Sequence, residues 1–217
     1  ERLPAFMDGH FTVQDAAARL VATVAAPGET DRVLDMCAAP GGKSFALAID
    51  RKDRGEILSC DVHPHKLSLI ERGAERLGIH SVRTALADGR ERHAAWENAA
   101  DLVVADVPCS GLGIIRKKPD IRYKDPKELA ELSAIQSAIL DNAAAYVRPG
   151  GVLVYSTCTV LPEENEGVTT AFLDTHPDFE MEPFSLPQPI GGCCGQLTLW
   201  PQRYGTDGFY ICRMRKK

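Results

Sequence analysis

Two cysteines of this 217-residue sequence each follow an apolar run and stand among polar residues. One lies in Asp106-Val107-Pro108-Cys109-Ser110-Gly111, and the other lies in Tyr155-Ser156-Thr157-Cys158-Thr159. A cysteine thiolate is a nucleophile that can form covalent intermediates. Small buried thiols are also common in protein cores, but burial alone does not explain why both cysteines come just after an apolar segment. The pattern favours a chemical role for both.

A glycine-rich segment, Leu34-Asp35-Met36-Cys37-Ala38-Ala39-Pro40-Gly41-Gly42-Lys43-Ser44, follows an earlier apolar run. Between a strand and a helix, such glycines let a ligand approach the backbone, and the helix N-terminus offers free N–H groups. The ending Gly42-Lys43-Ser44 suggests a P-loop, but that motif requires glycine where this chain has Cys37. The dinucleotide fingerprint is absent as well. NTP and NAD are therefore both disfavoured as ligands.

Two acidic residues, Asp61 and Asp88, each end a further predicted strand. In nucleotide-binding sheets, a carboxylate at the place of Asp61 binds the ribose hydroxyls. Asp88 could accept a hydrogen bond from an adenine amino group. Each aspartate alone is typical of a turn cap. Together with the glycine-rich turn, they favour a ligand that contains adenosine.

Strand and helix patterns alternate along the chain, which predicts an α/β fold with a parallel sheet and crossover helices. Strands are predicted at residues 32–35, 56–61, 81–87, 101–106, 152–156 and 208–214, with a weaker one near 179–184. Helices are predicted at residues 12–26, 43–49, 64–77, 126–147 and 163–174, with Thr12 as the N-cap of the first and Gly78 as the stop of the third. Residues 107–125 and most of 177–208 are predicted to be loop. Because parallel strands end at one edge of a sheet, Cys109, Cys158 and the glycine-rich turn are expected on one rim.

Composition is that of a globular domain, with 44% hydrophobic and 25% charged residues. No apolar run reaches the ~20 residues of a membrane span, and no signal peptide opens the chain. The seven cysteines suggest neither a disulfide framework nor a metal site. We expect a cytoplasmic protein, and a monomer, with residues 1–30 as an N-terminal helical segment and 31–217 as the main domain.

The net charge of −5 is unlike that of most nucleic-acid-binding domains. Basic residues are nevertheless concentrated in two places, namely Arg116, Lys117, Lys118, Arg122 and Lys124, and then Arg213, Arg215, Lys216 and Lys217. We expect the first group to bind phosphates. The second is expected to be a solvated, frayed tail.

The glycine-rich segment, the two cysteine segments and Asp207-Gly208-Phe209-Tyr210 together resemble the signatures of the Sun (Fmu) family of RNA cytosine-5 methyltransferases, part of the NOL/NOP/Sun superfamily. The resemblance extends from Phe11-Thr12-Val13-Gln14-Asp15 to the last strand, and residues 116–122 resemble the bacterial enzymes that act on 16S ribosomal RNA. Met36 and Ser44 replace the family's commoner Ala and Thr, and we expect neither to alter the chemistry.

This resemblance implies a Rossmann-like class I methyltransferase fold, with a mostly parallel seven-stranded sheet, an antiparallel last strand and helices on both faces. It implies that S-adenosylmethionine is bound by Cys37, Ala38, Ala39, Pro40, Gly41, Gly42, Lys43, Asp61, Asp88 and Asp106. It also implies that Cys158 is the nucleophile and that Cys109 assists product release. Because the first residue is Glu1, and because of the family's usual architecture, we expect a preceding RNA-binding domain.

The chemistry explains why such residues are needed. Carbon 5 of cytosine becomes nucleophilic once a thiolate has added to carbon 6. Lys43 is a candidate cation to favour the thiolate, and Asp106, if protonated or shared with the base, could hydrogen-bond ring N3. The cytosine must be single-stranded or flipped out, and Tyr123 in the basic loop is available for stacking.

Three alternatives remain open at the level of sequence. One is a methyltransferase acting on transfer RNA, DNA or a small molecule; DNA cytosine methyltransferases do not need a cysteine at the place of Cys158. Another is a P-loop nucleotide-binding protein, and the third is a non-catalytic RNA-binding or assembly factor on the same fold.

Overall fold

The computed structural model describes residues 3–125 and 131–217. Its strands are β1 (Arg32–Asp35), β2 (Glu56–Asp61), β3 (Val82–Leu86), β4 (Ala100–Asp106), β5 (Val147–Thr157), β6 (Phe179–Met181), β7 (Phe184–Leu186), β8 (Gly191–Cys193), β9 (Gln196–Leu199) and β10 (Phe209–Lys216). Its α-helices are α1 (Pro4–Met7), α2 (Ala16–Ala25), α3 (Gly42–Asp50), α4 (Pro64–Leu77), α5 (Leu132–Tyr146), α6 (Glu166–Thr175) and α7 (Pro201–Tyr204). Short 3-10 helices lie at Ala94–Trp96, Leu112–Ile114, Pro119–Tyr123 and Pro162–Glu164.

The main sheet has eight strands in the order β3-β2-β1-β4-β5-β10-β6, with β9 also paired to β10. Strands β1 to β5 pair in parallel, whereas β10 is antiparallel to β5, β6 and β9. The predicted fold, a mostly parallel sheet with an antiparallel last strand, is confirmed. The short β9 adds a strand to the seven expected. Strand order reverses between β1 and β4, which is where open α/β sheets bind ligands.

Helices cover both faces of the sheet. Successive residues of β4 point to opposite faces: Leu102 and Val104 pack in one buried cluster with α2, α3 and α4, and Val103 and Ala105 pack in the other with α5 and α6. Because α2 belongs to the first cluster, the N-terminal segment contributes to the core. Among the residues that the structure describes, no helix is both long enough and apolar enough to cross a membrane.

The predicted start of the first long helix is wrong. Helix α2 begins at Ala16 rather than near Thr12, and its N-cap is Asp15, whose Oδ1 accepts a hydrogen bond from Ala17 N at 2.8 Å. A carboxylate at the N-cap satisfies a free N–H and interacts favourably with the helix dipole. The predicted start at residue 126 of the helix that contains α5 lies outside the described residues.

Two expectations about the C-terminal part are also wrong. Residues 177–208 contain four short strands and α7 rather than mostly loop, because pairing with β10 and within the β7–β8 hairpin defines strands too short to show a periodic pattern. The basic end of the chain is not a frayed tail. It forms β10, where Arg213 and Arg215 both pair with Glu182 at 2.7 Å, and Arg213 also donates to Ala25 O.

The Phe45 ring is wedged between two glycines, and this generates a stability prediction. A Cβ at Gly73 in α4 would lie 2.5 Å from Phe45 Cζ, and one at Gly41 would lie 2.4 Å from the same atom. Glycine-to-alanine changes in helices usually stabilise by about 1 kcal/mol. We predict instead that Gly73→Ala destabilises by about 1–3 kcal/mol through overpacking, measured by urea unfolding.

The exposed Ser68 of the same helix supplies the control, since Ser68→Ala should be nearly neutral. The Phe45→Leu background should reduce the cost of Gly73→Ala, because the ring is then gone. If Gly73→Ala stabilised the parent protein, the tight packing of the Phe45 ring against Gly73 would be contradicted.

Asp35, fully buried at the end of β1, generates a second prediction. Burial raises its pKa to about 6, against the lowering effect of the Ser44 hydrogen bond. An unfolded-state aspartate titrates near 4, so from about pH 4 to pH 6 the folded protein keeps a proton that the unfolded chain has lost. The contribution of Asp35 to stability therefore falls as pH rises through this window.

We predict that Asp35→Asn, which carries no charge, gains about 1–3 kcal/mol relative to the parent between pH 4 and pH 7. The measurement is the difference in free energy of unfolding between variant and parent at each pH. A difference that stays constant with pH would show that Asp35 titrates normally.

Candidate active site

The pairing of β4 with β5 brings the two predicted cysteines together. Asp106 is the register partner of Ser156, so the chain leaves both strands at the same level. The sulfurs of Cys109 and Cys158 lie 3.3 Å apart, and both residues are free, half-buried thiols. This is the distance of a hydrogen bond between the two sulfurs rather than of a disulfide bond.

The Cys158 loop is fixed by close backbone contacts with the segment before β10. Gly113 N donates to Cys158 O at 3.0 Å, and Gly208 N donates to Gly113 O at 2.8 Å. A Cβ at Gly113 would lie 2.1 Å from Gly208 O, so only glycine fits there. The Asp207-Gly208 segment singled out in the sequence therefore acts as a backbone support for the thiol pair.

The two thiols differ in their electrostatics. The hydrogen bond from Cys109 lowers the pKa of Cys158, and Lys43 lowers it further, while burial and Asp106 oppose both. The pKa of Cys109 is raised, first by the same hydrogen bond and then by burial. One proton is thus held between two sulfurs, on the Cys109 side, and Cys158 is the thiol that ionises first.

Lys43 and Asp106 form an ion pair beside the thiols. Lys43 Nζ donates to Asp106 Oδ2 at 2.5 Å, and Ser156 Oγ donates to Oδ1 at 2.7 Å. Burial disfavours the charged ammonium, but Asp106 outweighs burial and raises the pKa of Lys43. The ammonium also lies 5.5 Å from the centre of the Phe209 ring.

The glycine-rich turn does not form a phosphate-binding loop. Gly41 has a φ of +105°, and the Ala39–Pro40 peptide is cis. Ser44, fully buried, contacts Asp35 and Ser59 through its hydroxyl, each at 2.7 Å. Ser44 and Lys43 both contact neighbouring side chains, an arrangement that argues against the P-loop alternative.

A cavity of about 390 Å³ opens at the carboxyl ends of β1, β2, β3 and β4. Of the residues predicted to bind a cofactor, five line it, namely Cys37, Ala39, Asp61, Asp88 and Asp106. The other predicted residues, Ala38, Pro40, Gly41, Gly42 and Lys43, shape the turn or contact Asp106 without lining this cavity. The volume is within the range of small-molecule sites.

Asp61 and Asp88 differ in the groups that donate hydrogen bonds to their carboxylates. Asp61 is nearly buried, and its Oδ1 accepts from the backbone N–H of His63 at 3.0 Å. Asp88 is held in a fork by Arg90, whose Nε and Nη2 donate to both carboxylate oxygens. The hydrogen bond from Arg90, chiefly, lowers the pKa of Asp88.

The sequence interpretation missed the apolar walls of the cavity. Ile135 and Ile139 lie four residues apart on α5 and so face the cavity together, and Val62 and Pro108 add further apolar surface. Val62 and Pro108 each lie within two residues of a strand-ending aspartate, which is a signal that could have identified them. Nothing in the sequence separates Ile135 and Ile139 from ordinary core residues.

The basic loop is partly neutralised within the protein. Arg116 and Lys117 donate to the buried Asp207 at 3.0 and 2.7 Å, and Lys117 also reaches Asp15 at 2.5 Å. Lys124 Nζ donates to Ser110 O. Arg122 Nε also donates to Pro119 O at 3.1 Å, so four of the five cations predicted to bind phosphates have intramolecular partners.

The thiol pair generates a prediction that needs no substrate. We predict that Cys109→Ala slows alkylation of Cys158 by iodoacetamide roughly tenfold at pH 7, because the thiolate loses its hydrogen-bond donor. Cys109→Ser keeps a donor and should slow it much less. Peptide mass spectrometry over a pH series distinguishes Cys158 from the other cysteines, and equal rates in the two variants would contradict the shared proton.

The chain matches the family model described as 16S rRNA methyltransferase RsmB/F over residues 22–215. It is 43% identical to the probable ribosomal RNA small subunit methyltransferase B of Bacillus subtilis (strain 168), covering 98% of this chain and 49% of that protein. The probable methyltransferase B of Synechocystis sp. is 38% identical, with 99% and 50% covered. The chain thus spans about half the length of the curated relatives it matches.

Solved structures agree with these matches. The structure described as PH0851 has a TM-score of 0.91 at 34% identity and covers 99% of this chain and 49% of that one. NSun6 from Pyrococcus horikoshii, solved with SFG, has a TM-score of 0.85 at 31% identity, with 99% and 55% covered. These findings confirm the family predicted from the motifs: the chain belongs to the 16S rRNA methyltransferase RsmB/F family.

Proposed function

We propose that this chain forms the catalytic domain of an S-adenosylmethionine-dependent methyltransferase that modifies carbon 5 of a cytosine in small-subunit ribosomal RNA. The observation that carries the proposal is the 3.3 Å contact between the Cys109 and Cys158 sulfurs at the same sheet edge as a cavity of about 390 Å³. The names of the relatives support ribosomal RNA as the substrate.

The cavity fits S-adenosylmethionine in its donor set and its walls. Asp61 offers a nearly buried carboxylate for the ribose hydroxyls, and Asp88 offers one for the adenine amino group. The apolar surface of Val62 and Ile135 suits a flat purine ring. Cys37 and Ala39 of the glycine-rich turn also line the cavity, and we propose that they contact the methionine part.

When bound, S-adenosylmethionine supplies an electrophilic methyl group on its sulfonium. The protein has to make carbon 5 of the cytosine nucleophilic. In the proposed mechanism the Cys158 thiolate adds to carbon 6, a carbon–sulfur bond forms, and the electrons of the C5=C6 bond become available at carbon 5. The lowered pKa of Cys158 favours the thiolate form that this step requires.

Product release requires loss of the carbon 5 proton and return of the C6–S electron pair to Cys158. We propose that Cys109 loses its own proton to water after the adduct has formed and then, as a thiolate, takes the carbon 5 proton. The first cause of its raised pKa is the hydrogen bond to Cys158, and that cause disappears once Cys158 has become a neutral thioether. Formation of the adduct thus makes Cys109 easier to ionise at the stage where a base is needed.

We propose that Lys43 and Asp106 stabilise the negative charge that develops on the pyrimidine. As carbon 6 is attacked, negative charge grows at ring N3 and O2. The ammonium of Lys43, 2.5 Å from Asp106, can donate the hydrogen bond to ring N3 in place of the Asp106 carboxyl expected from the sequence. The pair therefore offers both a donor and an acceptor to one edge of the base.

The RNA must present its cytosine unstacked, because a base within a duplex cannot reach the thiols. Of the basic loop, we propose that Arg122 and Tyr123 contact the RNA. Tyr123 is 80% exposed, and the Arg122 guanidinium carbon lies 5.9 Å from the centre of its ring. An exposed aromatic ring beside a guanidinium suits base stacking.

We predict that Cys158→Ala lowers methyl transfer by at least about a thousandfold and forms no covalent adduct, since the nucleophile is gone. Cys109→Ala should instead accumulate a protein–RNA adduct, because attack proceeds and release does not. The measurement uses labelled S-adenosylmethionine with unmodified 16S ribosomal RNA, followed by denaturing gels and mapping of labelled cytosines.

The exposed Cys194 provides the matched control, because Cys194→Ala should leave both readouts unchanged. If the adduct formed with Cys158→Ala rather than Cys109→Ala, the two roles would be reversed. Label on a base other than cytosine, or no label on RNA, would overturn the proposed function.

A further inference from the structure

The backbone on both sides of Cys109 is held by buried side chains. Gln136 Nε2 donates to Pro108 O at 3.0 Å, and Ser110 N donates to Glu164 Oε2 at 2.9 Å. Gln136 Nε2 also donates to the same Glu164 oxygen at 2.8 Å, which joins the two contacts. Gln136 and Glu164 are 0% and 2% exposed, so this clamp lies inside the protein.

The next residue, Asn165, contacts the residues on both sides of Cys158, through the side-chain hydroxyl of Thr157 and the backbone carbonyl of Thr159. Its Oδ1 accepts from Thr157 Oγ1 at 2.6 Å, and its Nδ2 donates to Thr159 O at 3.2 Å. Asn165 is fully buried. Two adjacent residues thus fix the two thiol-bearing loops, one loop each.

These two residues are themselves anchored to the core. Tyr155 of β5 donates its hydroxyl to Glu164 O at 2.6 Å, and Thr169 N of α6 donates to Asn165 O at 3.1 Å. The loops are also joined directly, because Ser110 Oγ donates to Thr159 Oγ1 at 2.7 Å. Movement of either residue would therefore be transmitted to a thiol.

The arrangement is costly for stability. Glu164 Oε1 and Gln136 Oε1 are buried, and neither has a hydrogen-bond partner within residues 3–125 and 131–217. An unpaired buried acceptor destabilises the fold, and apolar residues often replace buried polar groups without loss of stability. Stabilisation of the fold alone does not explain a carboxylate at this place.

We infer that Glu164 and Asn165 are positioning residues that set the distance between the Cys109 and Cys158 sulfurs. They act through the backbone of the two loops and do not meet the substrate. The inference rests on the proposed function for its purpose, since attack and release need both thiols at one base. The geometry itself can be tested without RNA.

The first measurement is alkylation of Cys158 by iodoacetamide over a pH series, using the full chain. Glu164→Ala and Asn165→Ala should each slow Cys158 alkylation at pH 7 by roughly threefold to tenfold, because Cys109 no longer stays within hydrogen-bond distance. Glu164→Gln keeps an acceptor for Ser110 N and should restore most of the rate. The adjacent, exposed Glu163 gives the control variant Glu163→Ala, which should react like the parent.

The second measurement is methyl transfer to 16S ribosomal RNA. For Glu164→Ala we expect kcat to fall by roughly tenfold to a hundredfold, with the KM for RNA and for S-adenosylmethionine unchanged within about twofold. A larger fraction of covalent adduct should accumulate, as release fails with a displaced Cys109. A merely structural role would lower kcat only in proportion to the folded fraction seen by circular dichroism.

Folded Glu164→Ala and Asn165→Ala proteins with the parent's alkylation profile would overturn the inference. If Glu164→Ala does not fold, Gln136→Met, which removes the donor to both Pro108 O and Glu164 Oε2, carries the same expectation and the same contradiction. An altered alkylation profile together with no methylation by the parent would leave the positioning role standing and refute the proposed function instead.

Discussion

The parallel pairing of β4 with β5 is the constraint on which the site depends. Asp106 lies opposite Ser156 in this ladder and accepts its hydroxyl hydrogen bond at 2.7 Å. Because register fixes where each strand ends, it also fixes where the two cysteine loops begin. A slip of one residue would turn each side chain to the other face. The contact between Cys109 and Cys158 follows from this one alignment.

The sequence allows this part of the site to be predicted because strand ends carry their own signals. Apolar β-branched runs followed by Asp, Gly or Pro mark the carboxyl edge of a parallel sheet, so Asp61, Asp88 and both thiols could be placed on one rim. Contacts between distant segments have no such signal. The sequence predicts Glu164 only as part of the helix at residues 163–174, yet its side chain is buried behind Cys109. Likewise, Ile135 and Ile139 match any core helix.

The basic loop is a second example of contacts between distant segments that the sequence does not reveal. A cluster of cations in a loop suggests an RNA surface, but Arg116 and Lys117 are held by the buried Asp207, which the sequence places some 90 residues away. Burial of an aspartate requires such partners. Part of the basic loop therefore stabilises the segment that supports Cys158, which leaves fewer cations for phosphates and accords with a net charge of −5.

The pKa values of Cys109 and Cys158 are shifted in opposite directions, and this difference sets the proposed order of the reaction steps. Two equivalent thiols 3.3 Å apart would compete for the same carbon. Here the hydrogen bond from Cys109, followed by Lys43, lowers the pKa of Cys158, whereas the same hydrogen bond and burial raise the pKa of Cys109. The proton shared between the sulfurs thus selects Cys158 for attack. Once that sulfur is bound to carbon, the strongest influence on Cys109 is removed, and the second thiol becomes available as a base only after the first has reacted.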